Sequence, residues 1–152
     1  MIALLQRVTQ ASVTVDAAEV GAIDAGLLAL IGVQRGDGEA EAERLLERIL
    51  GYRMFGDGKG RMNLSVTEIH GGLLLVPQFT LPADTRKGMR PSFSSAAHPD
   101  TSRALFDHLV AAAEAAHAPV ATGRFVERMS VSLGNEGPVT FWLEVTPPAM
   151  SP

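Results

Sequence analysis

The chain has 152 residues, of which 46% are hydrophobic and 20% are charged, and it contains no cysteine. A chain of this length buries enough apolar surface to fold as one domain, and without cysteine it has no disulfide, thiolate metal site or cysteine nucleophile. The 13 basic and 17 acidic residues give a net charge of −4, which argues against a protein that binds DNA by bulk electrostatic attraction.

Nothing in the sequence suggests a membrane segment or a secretion signal. The apolar stretch 26–32 is far shorter than the roughly 20 residues that a membrane-spanning helix needs. The first residues have neither a basic segment nor a small-residue cleavage site. We therefore predict a soluble, cytoplasmic protein with no membrane partner, folded as a single domain over 1–152 with 146–152 as a flexible tail.

The first third of the chain predicts mainly β-strands. Residues 11–15 alternate between apolar and polar, as in a half-buried strand, and the apolar run 27–31 is typical of a strand buried on both faces. From 39 to 50 the apolar residues recur at helical spacing, which predicts an amphipathic helix. The glycines within 56–60 predict a loop, and their spacing matches no phosphate-binding motif.

A second buried strand is predicted at 73–76, directly before Pro77. Proline cannot donate to a strand ladder, so Pro77 marks the end of this strand, an edge or a bulge. The strand therefore delivers Gln78, Phe79 and Thr80 to a boundary where backbone groups are free to bind something.

The second half of the chain predicts one more helix and two late strands. The helix begins near Asp100 or Thr101, either of which could cap it, and ends near His117, before a proline. Alternating residues predict strands around 131–133 and 139–145. These elements predict an α+β domain with a mainly antiparallel sheet and two helices.

The sequence has no familiar catalytic set of side chains. It lacks a G-x-S-x-G nucleophile elbow and an H-E-x-x-H metal motif, and its four histidines are expected at the surface or at helix caps. We expect no metal and no cofactor. Two short segments remain, 77–81 and 135–140, which taken alone indicate a strand end with a buried phenylalanine and a hairpin turn.

Both segments belong to a longer ordered set of matches, through which the chain resembles the D-aminoacyl-tRNA deacylase family over nearly its whole length. The matching residues are Gln6-Arg7-Val8, Ala11-Ser12-Val13, Gly26-Leu27-Leu28, Met62-Asn63-Leu64, Gln78-Phe79-Thr80-Leu81, Gly88-Met89-Arg90-Pro91-Ser92-Phe93 and Asn135-Glu136-Gly137-Pro138-Val139-Thr140.

The resemblance implies a barrel-like fold and a homodimer with active sites at the interface. It implies hydrolysis of the ester that joins a D-amino acid, or mischarged glycine, to the terminal adenosine of tRNA. A cis Gly137-Pro138 bond would reach into the partner's pocket and reject L-residues by steric exclusion. Arg7 would brace this element, Met129 would line the pocket, and Asn135 belongs to the same substrate-binding set.

The same resemblance assigns catalysis to Gln78, Phe79 and Thr80, which would hold the adenosine and the ester. Main-chain amides near Phe79 and Thr80 would stabilise an oxyanion. The Thr80 hydroxyl is not expected to be the nucleophile, because no histidine or aspartate is placed to activate it. In the family the 2′-hydroxyl of the tRNA is thought to organise the attacking water instead.

Two departures from the family pattern leave alternatives open. Pro77 stands where the family usually has serine, and the segment Phe125-Val126-Glu127-Arg128-Met129 replaces F-[GA]-A-x-M. One alternative is a related deacylase with relaxed chirality that acts on glycine or small L-residues mischarged onto tRNA. The other is a noncatalytic dimeric RNA-binding module.

Charge is distributed unevenly along the chain. Residues 44–90 carry eight basic and four acidic side chains, a balance of +4, against −8 for the remainder. Such a segment suits a few phosphate contacts to the 3′ end of a tRNA, although the charges could equally be solvated on several faces. The candidate phosphate contacts are Lys59, Arg61, Arg86, Lys87 and Arg90.

Overall fold

The computed structural model describes residues 1–125 and 127–149. In chain order its elements are β1 (Ile2–Val15), β2 (Ala18–Ile23), β3 (Gly26–Gly32), α1 (Glu39–Gly51), β4 (Phe55–Gly56), β5 (Met62–Leu64), β6 (Gly72–Pro77), α2 (Pro99–Ala116), β7 (Val120–Thr122) and β8 (Ser130–Glu144).

The main sheet is built around the long strand β1. Along one edge β1 pairs with β8, and along the other it pairs first with β3 and then with β2, all antiparallel. The order continues from β3 to β6 and β7 in parallel pairs. The predicted α+β fold with a mainly antiparallel sheet is therefore confirmed, but the sheet is mixed.

The sheet curves until its two ends nearly meet. A Cβ atom at Gly21 of β2 would lie 2.5 Å from the carbonyl oxygen of Thr122 in β7, so only a residue without a side chain permits this approach. The barrel-like form implied by the family resemblance is thus present.

The central strands β3 and β6 separate two hydrophobic cores. Leu27 and Leu73 face the core that also contains the buried sides of α1 and α2. Leu28 and Leu74, one residue further along each strand, face the second core inside the curved sheet. This alternation confirms that both predicted apolar runs are strands buried on both faces.

Several local predictions differ from the structure. β1 starts at Ile2 rather than near residue 11, β2 and β7 were not predicted, and the two late strands form the single strand β8. These elements were missed because their patterns are short or mixed, and their strand structure depends on pairing with neighbouring strands rather than on local periodicity. The predicted caps Asp100 and Thr101 are also wrong, since His98 accepts the Asp100 N–H at 3.2 Å.

The N-terminus is held beside the residue that follows β8. The Met1 amino group donates to Asp37 at 2.9 Å and to the carbonyl of Val145 at 2.6 Å. Of the predicted tail, residues 150–152 lie outside the described residues. Neither of the two described helices is long and apolar enough to cross a bilayer.

Candidate active site

The segment after β6 forms a tight turn with unused backbone donors. The Gln78 N–H donates to the carbonyl of Ile31 at 2.8 Å, and the Leu81 N–H donates back to the carbonyl of Gln78 at 3.2 Å. Within residues 1–125 and 127–149, the intervening amides of Phe79 and Thr80 donate to no backbone carbonyl. These two N–H groups are therefore available to a bound molecule.

A cavity of about 510 Å³ opens beside this turn. Met129 lies in its wall, where the Arg124 N–H donates to its sulfur at 3.3 Å. A Cβ at Gly123 would lie 2.8 Å from that sulfur, so the glycine makes room for the methionine side chain. The lining residues are Pro77, Gln78, Phe79, Pro99, Phe125, Glu127, Arg128 and Met129.

The cavity therefore contains all of the predicted pocket residues that lie near the end of β6 except Thr80, whose side chain is exposed at the turn. The Thr80 hydroxyl accepts a hydrogen bond from the Gln78 side-chain amide at 3.0 Å. The titratable side chains that line the cavity are Glu127 and Arg128. Among the described residues, no cluster of three or more metal-ligating side chains occurs.

Phe79 is not the buried strand-end residue that the ordinary interpretation of the segment predicts. Its side chain is 46% exposed and lies against Phe93, with ring centroids 5.2 Å apart. Sequence reasoning did not identify Phe93 or Pro99 as site residues. Phe93 closes one of the matching family segments, and this was the only signal that could have identified it.

The second predicted segment is a bulge on β8. Between the paired residues Gln6–Thr140 and Val8–Asn135, β1 has one residue, Arg7. Over the same interval β8 has four residues, 136–139. The extra residues cannot continue the ladder, and 136–138 lie exposed, whereas Val139 is buried in the core. Gly137 and Pro138 are exposed at this bulge, and the peptide bond between them is cis, as the resemblance implies.

Two side chains hold the bulge to β1. Arg7 donates from Nε to the carbonyl of Glu136 at 3.1 Å and from Nη1 to the carbonyl of Met54 at 3.0 Å. The Asn135 side-chain amide donates to the carbonyls of Arg7 at 3.0 Å and Val139 at 3.2 Å. The bulge is therefore fixed by polar contacts at its base, while its tip is free.

The two segments do not meet within one chain. Pro77 pairs with Ile31 of β3, and Ile31 pairs with Ala3 of β1. The bulge instead lies opposite Arg7, four residues further along β1. Four residues along a strand correspond to roughly 13 Å, and the three strand spacings from β6 to β8 add roughly 14 Å across the sheet. The bulge of one chain is thus remote from the cavity of the same chain.

The five predicted phosphate contacts differ in whether their positive charge is already paired with a carboxylate. Arg86 donates to both carboxylate oxygens of Asp84, at 2.9 and 2.8 Å, and this hydrogen bonding lowers the pKa of Asp84 to about 2. Lys59 and Arg61 lie in the turn between β4 and β5, and Lys87 and Arg90 lie exposed in the loop after Asp84. Of these five residues, Arg86 is thus the one whose charge is shown to be paired with a carboxylate, among the described residues.

Comparison with known proteins gives consistent findings. A family model described as D-Tyr-tRNA(Tyr) deacylase matches residues 4–144. A protein of Thioalkalivibrio sulfidiphilus named D-aminoacyl-tRNA deacylase is 70% identical over 148 residues, which cover 97% of this chain and 99% of the relative. A protein of the same name from Janthinobacterium sp. is 62% identical over 147 residues, with 97% and 99% covered.

Solved structures also share the fold. One described as a c-Myc DNA unwinding element binding protein has a TM-score of 0.91 and 33% sequence identity, and the match covers 97% of this chain and 100% of that one. Another, described as a probable eukaryotic D-amino acid tRNA deacylase, has a TM-score of 0.76 and 18% identity over 95% and 98% of the two chains. The second likeness concerns the fold alone.

Proposed function

Because the chain belongs to the D-Tyr-tRNA(Tyr) deacylase family, we propose that it hydrolyses the ester bond of D-aminoacyl-tRNA and releases the D-amino acid and free tRNA. The observation that carries the proposal is the cavity of about 510 Å³ beside the unused amides of Phe79 and Thr80. The terminal adenosine occupies this cavity, and its ester lies against the turn.

The two amides supply the chemistry that ester hydrolysis needs. Water attacks the ester carbonyl carbon, and the negative charge that develops on the carbonyl oxygen is bound by the N–H groups of Phe79 and Thr80. The bond to the ribose oxygen then breaks, and that oxygen takes up a proton. One such backbone donor is commonly worth about 10²–10³ in rate.

The Thr80 hydroxyl has a supporting role rather than a nucleophilic one. It accepts a hydrogen bond from Gln78 at 3.0 Å, and no histidine lines the cavity in the described part of the chain. A hydroxyl without a neighbouring base is a weak nucleophile at neutral pH. The water is instead organised by the 2′-hydroxyl of the substrate ribose.

Chiral selection requires a second copy of the chain. The bulge at Gly137-Pro138 is remote from its own cavity, and β8 pairs only with β1 among the described strands. This strand also exposes Leu133 (36%) and Trp142 (51%) to solvent. A long edge strand with exposed apolar side chains is a surface for pairing with another chain.

In the resulting homodimer, the bulge of one copy enters the cavity of its partner. The rigid bulge carbonyls exclude the side chain of an L-residue, whereas a D-residue or glycine fits. The enzyme therefore also hydrolyses mischarged glycyl-tRNA. Arg7 and Asn135 position the bulge, and Met129 lines the pocket that receives it.

The direct test is hydrolysis of D-tyrosyl-tRNA and L-tyrosyl-tRNA under identical conditions. We expect release of D-tyrosine and little release of L-tyrosine. Absence of D-tyrosine release would refute the proposed activity, and equal release of both enantiomers would refute the selection mechanism. Glycyl-tRNA is expected to be hydrolysed in the same assay.

The dimer is tested by sedimentation equilibrium of the full chain. We expect a two-chain species, and we expect Leu133→Glu on the exposed face of β8 to shift it toward the monomer and to lower the preference for the D-enantiomer. Ala111→Glu on the exposed face of α2 is the control, because it adds the same charge and removes no hydrogen bond. A wild-type monomer with full selectivity would exclude a cross-subunit element.

The alternative of relaxed chirality is favoured by Pro77. This residue is buried in the wall of the cavity, where it lacks the hydroxyl and N–H that a serine would offer. Faster hydrolysis of L-alanyl-tRNA than of D-tyrosyl-tRNA would support this alternative. Binding of tRNA without any turnover would support the noncatalytic module.

A further inference from the structure

A second cavity, of about 470 Å³, adjoins the candidate active site. It shares Phe79 and Pro99 with the first cavity, so these two residues form the boundary between them. Its further lining includes Arg35, Phe93 and His98. No residue of this cavity other than Phe79 has a role in the proposed hydrolysis.

The lining combines an aromatic platform with a cation. The rings of Phe79 and Phe93 are inclined by 32° to each other, and both remain partly exposed, at 46% and 41%. Arg35 is exposed at the rim, its backbone is held by donation to the Ser95 carbonyl at 3.0 Å, and its guanidinium has no ion pair among the described residues. Exposed aromatic rings beside a cation are typical of sites for single-stranded nucleic acid.

The chain continues from this cavity into a basic loop. Asp84 and Ser92 close the loop with reciprocal backbone hydrogen bonds of 2.7 and 2.9 Å, and Phe93 follows directly. The loop exposes Lys87 and Arg90, whereas its third cation is already paired with Asp84. Free positive charge thus lies on the loop that connects Phe79 and Phe93, the two aromatic residues of the second cavity.

We propose that the second cavity binds the penultimate nucleotide of the tRNA 3′ end, with its base against Phe93 and the connecting phosphodiester near Arg35. This inference rests on the proposed function, because it takes the terminal adenosine to occupy the first cavity. Adjacent nucleotides are joined by one phosphodiester, so a site for the second nucleotide must share a wall with the site for the first. The strand then continues toward Lys87 and Arg90.

The charge of the lining favours a nucleotide over the side chain of the amino acid. A phosphodiester is anionic and pairs with an arginine, whereas the side chains of most amino acids carry no negative charge. The amino-acid side chain is nevertheless the competing occupant, and the experiment separates the two.

The experiment compares D-tyrosine esterified to adenosine with D-tyrosine esterified to the dinucleotide CpA. We expect kcat/KM for the CpA ester to exceed that for the adenosine ester by at least about fivefold, from stacking of one additional base. Binding of unesterified adenosine and CpA is measured in parallel by calorimetry. The inference is therefore judged even if neither ester is hydrolysed, an outcome that would overturn only the proposed function.

Variants of the lining test the two contacts separately. Phe93→Leu keeps an apolar side chain but removes the ring, and it should reduce the advantage of CpA to less than about twofold, while Phe93→Tyr should restore it. Arg35→Gln should lower the slope of log affinity for CpA against log salt concentration by about 0.7, the value for one phosphate contact to a single strand.

Arg44→Gln is the matched control for Arg35→Gln. Arg44 is exposed on α1 and paired with Glu47 at 2.8 Å, away from both cavities, and the substitution changes the net charge equally. An equal effect of the two substitutions would overturn the phosphate contact. If Phe93→Leu changed the preference among D-amino acids on adenosine but left the CpA advantage intact, the cavity would hold the amino-acid side chain and the inference would be wrong.

Discussion

The two segments of the candidate site are held in place by different forces. Residues 77–81 comprise the last residue of β6 and the turn after it, and the residues of β6 are buried on both faces between parallel neighbours. Residues 135–140 lie on β8, an edge strand whose side chains are mostly exposed, and their bulge is held by Arg7 and Asn135. The first segment is fixed by burial of apolar surface, and the second by a few polar contacts.

This difference matches the two tasks that we assign to the segments. Oxyanion stabilisation needs donors that do not move during the reaction, and a turn anchored to a core strand provides them. A bulge that enters a partner must remain outside its own core, so it cannot be held by burial. Substitutions in the strand that carries the first segment should therefore damage stability, and substitutions that loosen the second segment should damage selectivity.

The largest expected effect is on stability, from Leu75→Ala in β6. Leu75 is fully buried, so its truncation should lower the free energy of unfolding by about 2–5 kcal/mol, measured by urea denaturation. Ser132→Ala is the control, because this β8 side chain is exposed and makes no hydrogen bond among the described residues, and the expected change is within about 0.5 kcal/mol. Equal losses would show that the two strands do not differ as described.

Arg7→Gln should damage selectivity more than stability. The shorter side chain loses the contacts to the carbonyls of Glu136 and Met54, at a cost of about 1–3 kcal/mol in unfolding free energy. Misplacement of the bulge should lower the D-over-L ratio of kcat/KM by about 10–100-fold. Unchanged selectivity would mean that Arg7 does not position the bulge, and Arg44→Gln is the charge-matched control.

Asn135→Ala removes the second support of the bulge and should have a smaller effect. Its amide bridges the carbonyls of Arg7 and Val139, and the Asn135 side chain is exposed, so water replaces part of what is lost. We expect a loss of about 1 kcal/mol in unfolding free energy and a measurable decrease in the D-over-L ratio. A variant with lower stability but full selectivity would contradict a positioning role.

Thr80→Ala at the first segment should change the rate only slightly. The hydroxyl accepts one hydrogen bond from the Gln78 side chain, and the backbone amide of residue 80 is retained. A decrease in kcat of less than about threefold is expected in the D-tyrosyl-tRNA assay. Complete loss of turnover would instead assign the chemistry to the hydroxyl.

The smallest effect is expected from lowering the pH, which breaks the ion pair between Asp84 and Arg86 in the loop after the first segment. The Arg86 hydrogen bonds lower the pKa of Asp84 from 3.8 to about 2. The pair contributes its full stabilisation at pH values above the ordinary aspartate pKa of 3.8, and this stabilisation is lost as the pH falls through about 2. The carboxyl resonance of Asp84, followed by NMR, should therefore titrate near pH 2, and a midpoint near 3.8 would show that the pair does not form in solution.

The sequence predicted most of the elements that have a strong local pattern. The apolar runs that became β3 and β6 and the helical spacing that became α1 were correctly assigned, because burial on both faces or on one stripe leaves a clear periodicity. β2, β7 and the start of β1 were missed, and β8 was divided at its bulge. A bulge interrupts the alternation of residues, so the sequence pattern stops where the strand does not.

The sequence by itself also determined which two segments carry the candidate site, through ordered matches to one family. Only the tertiary structure decided that these segments lie far apart in one chain, that Phe79 is exposed against Phe93, and that Arg86 is already paired. Strand register and cavity shape depend on contacts between residues that are distant along the chain. Periodicity depends only on residues close together in sequence, so it cannot predict those contacts. The distance between the two segments is the reason that we propose a site completed by a second chain.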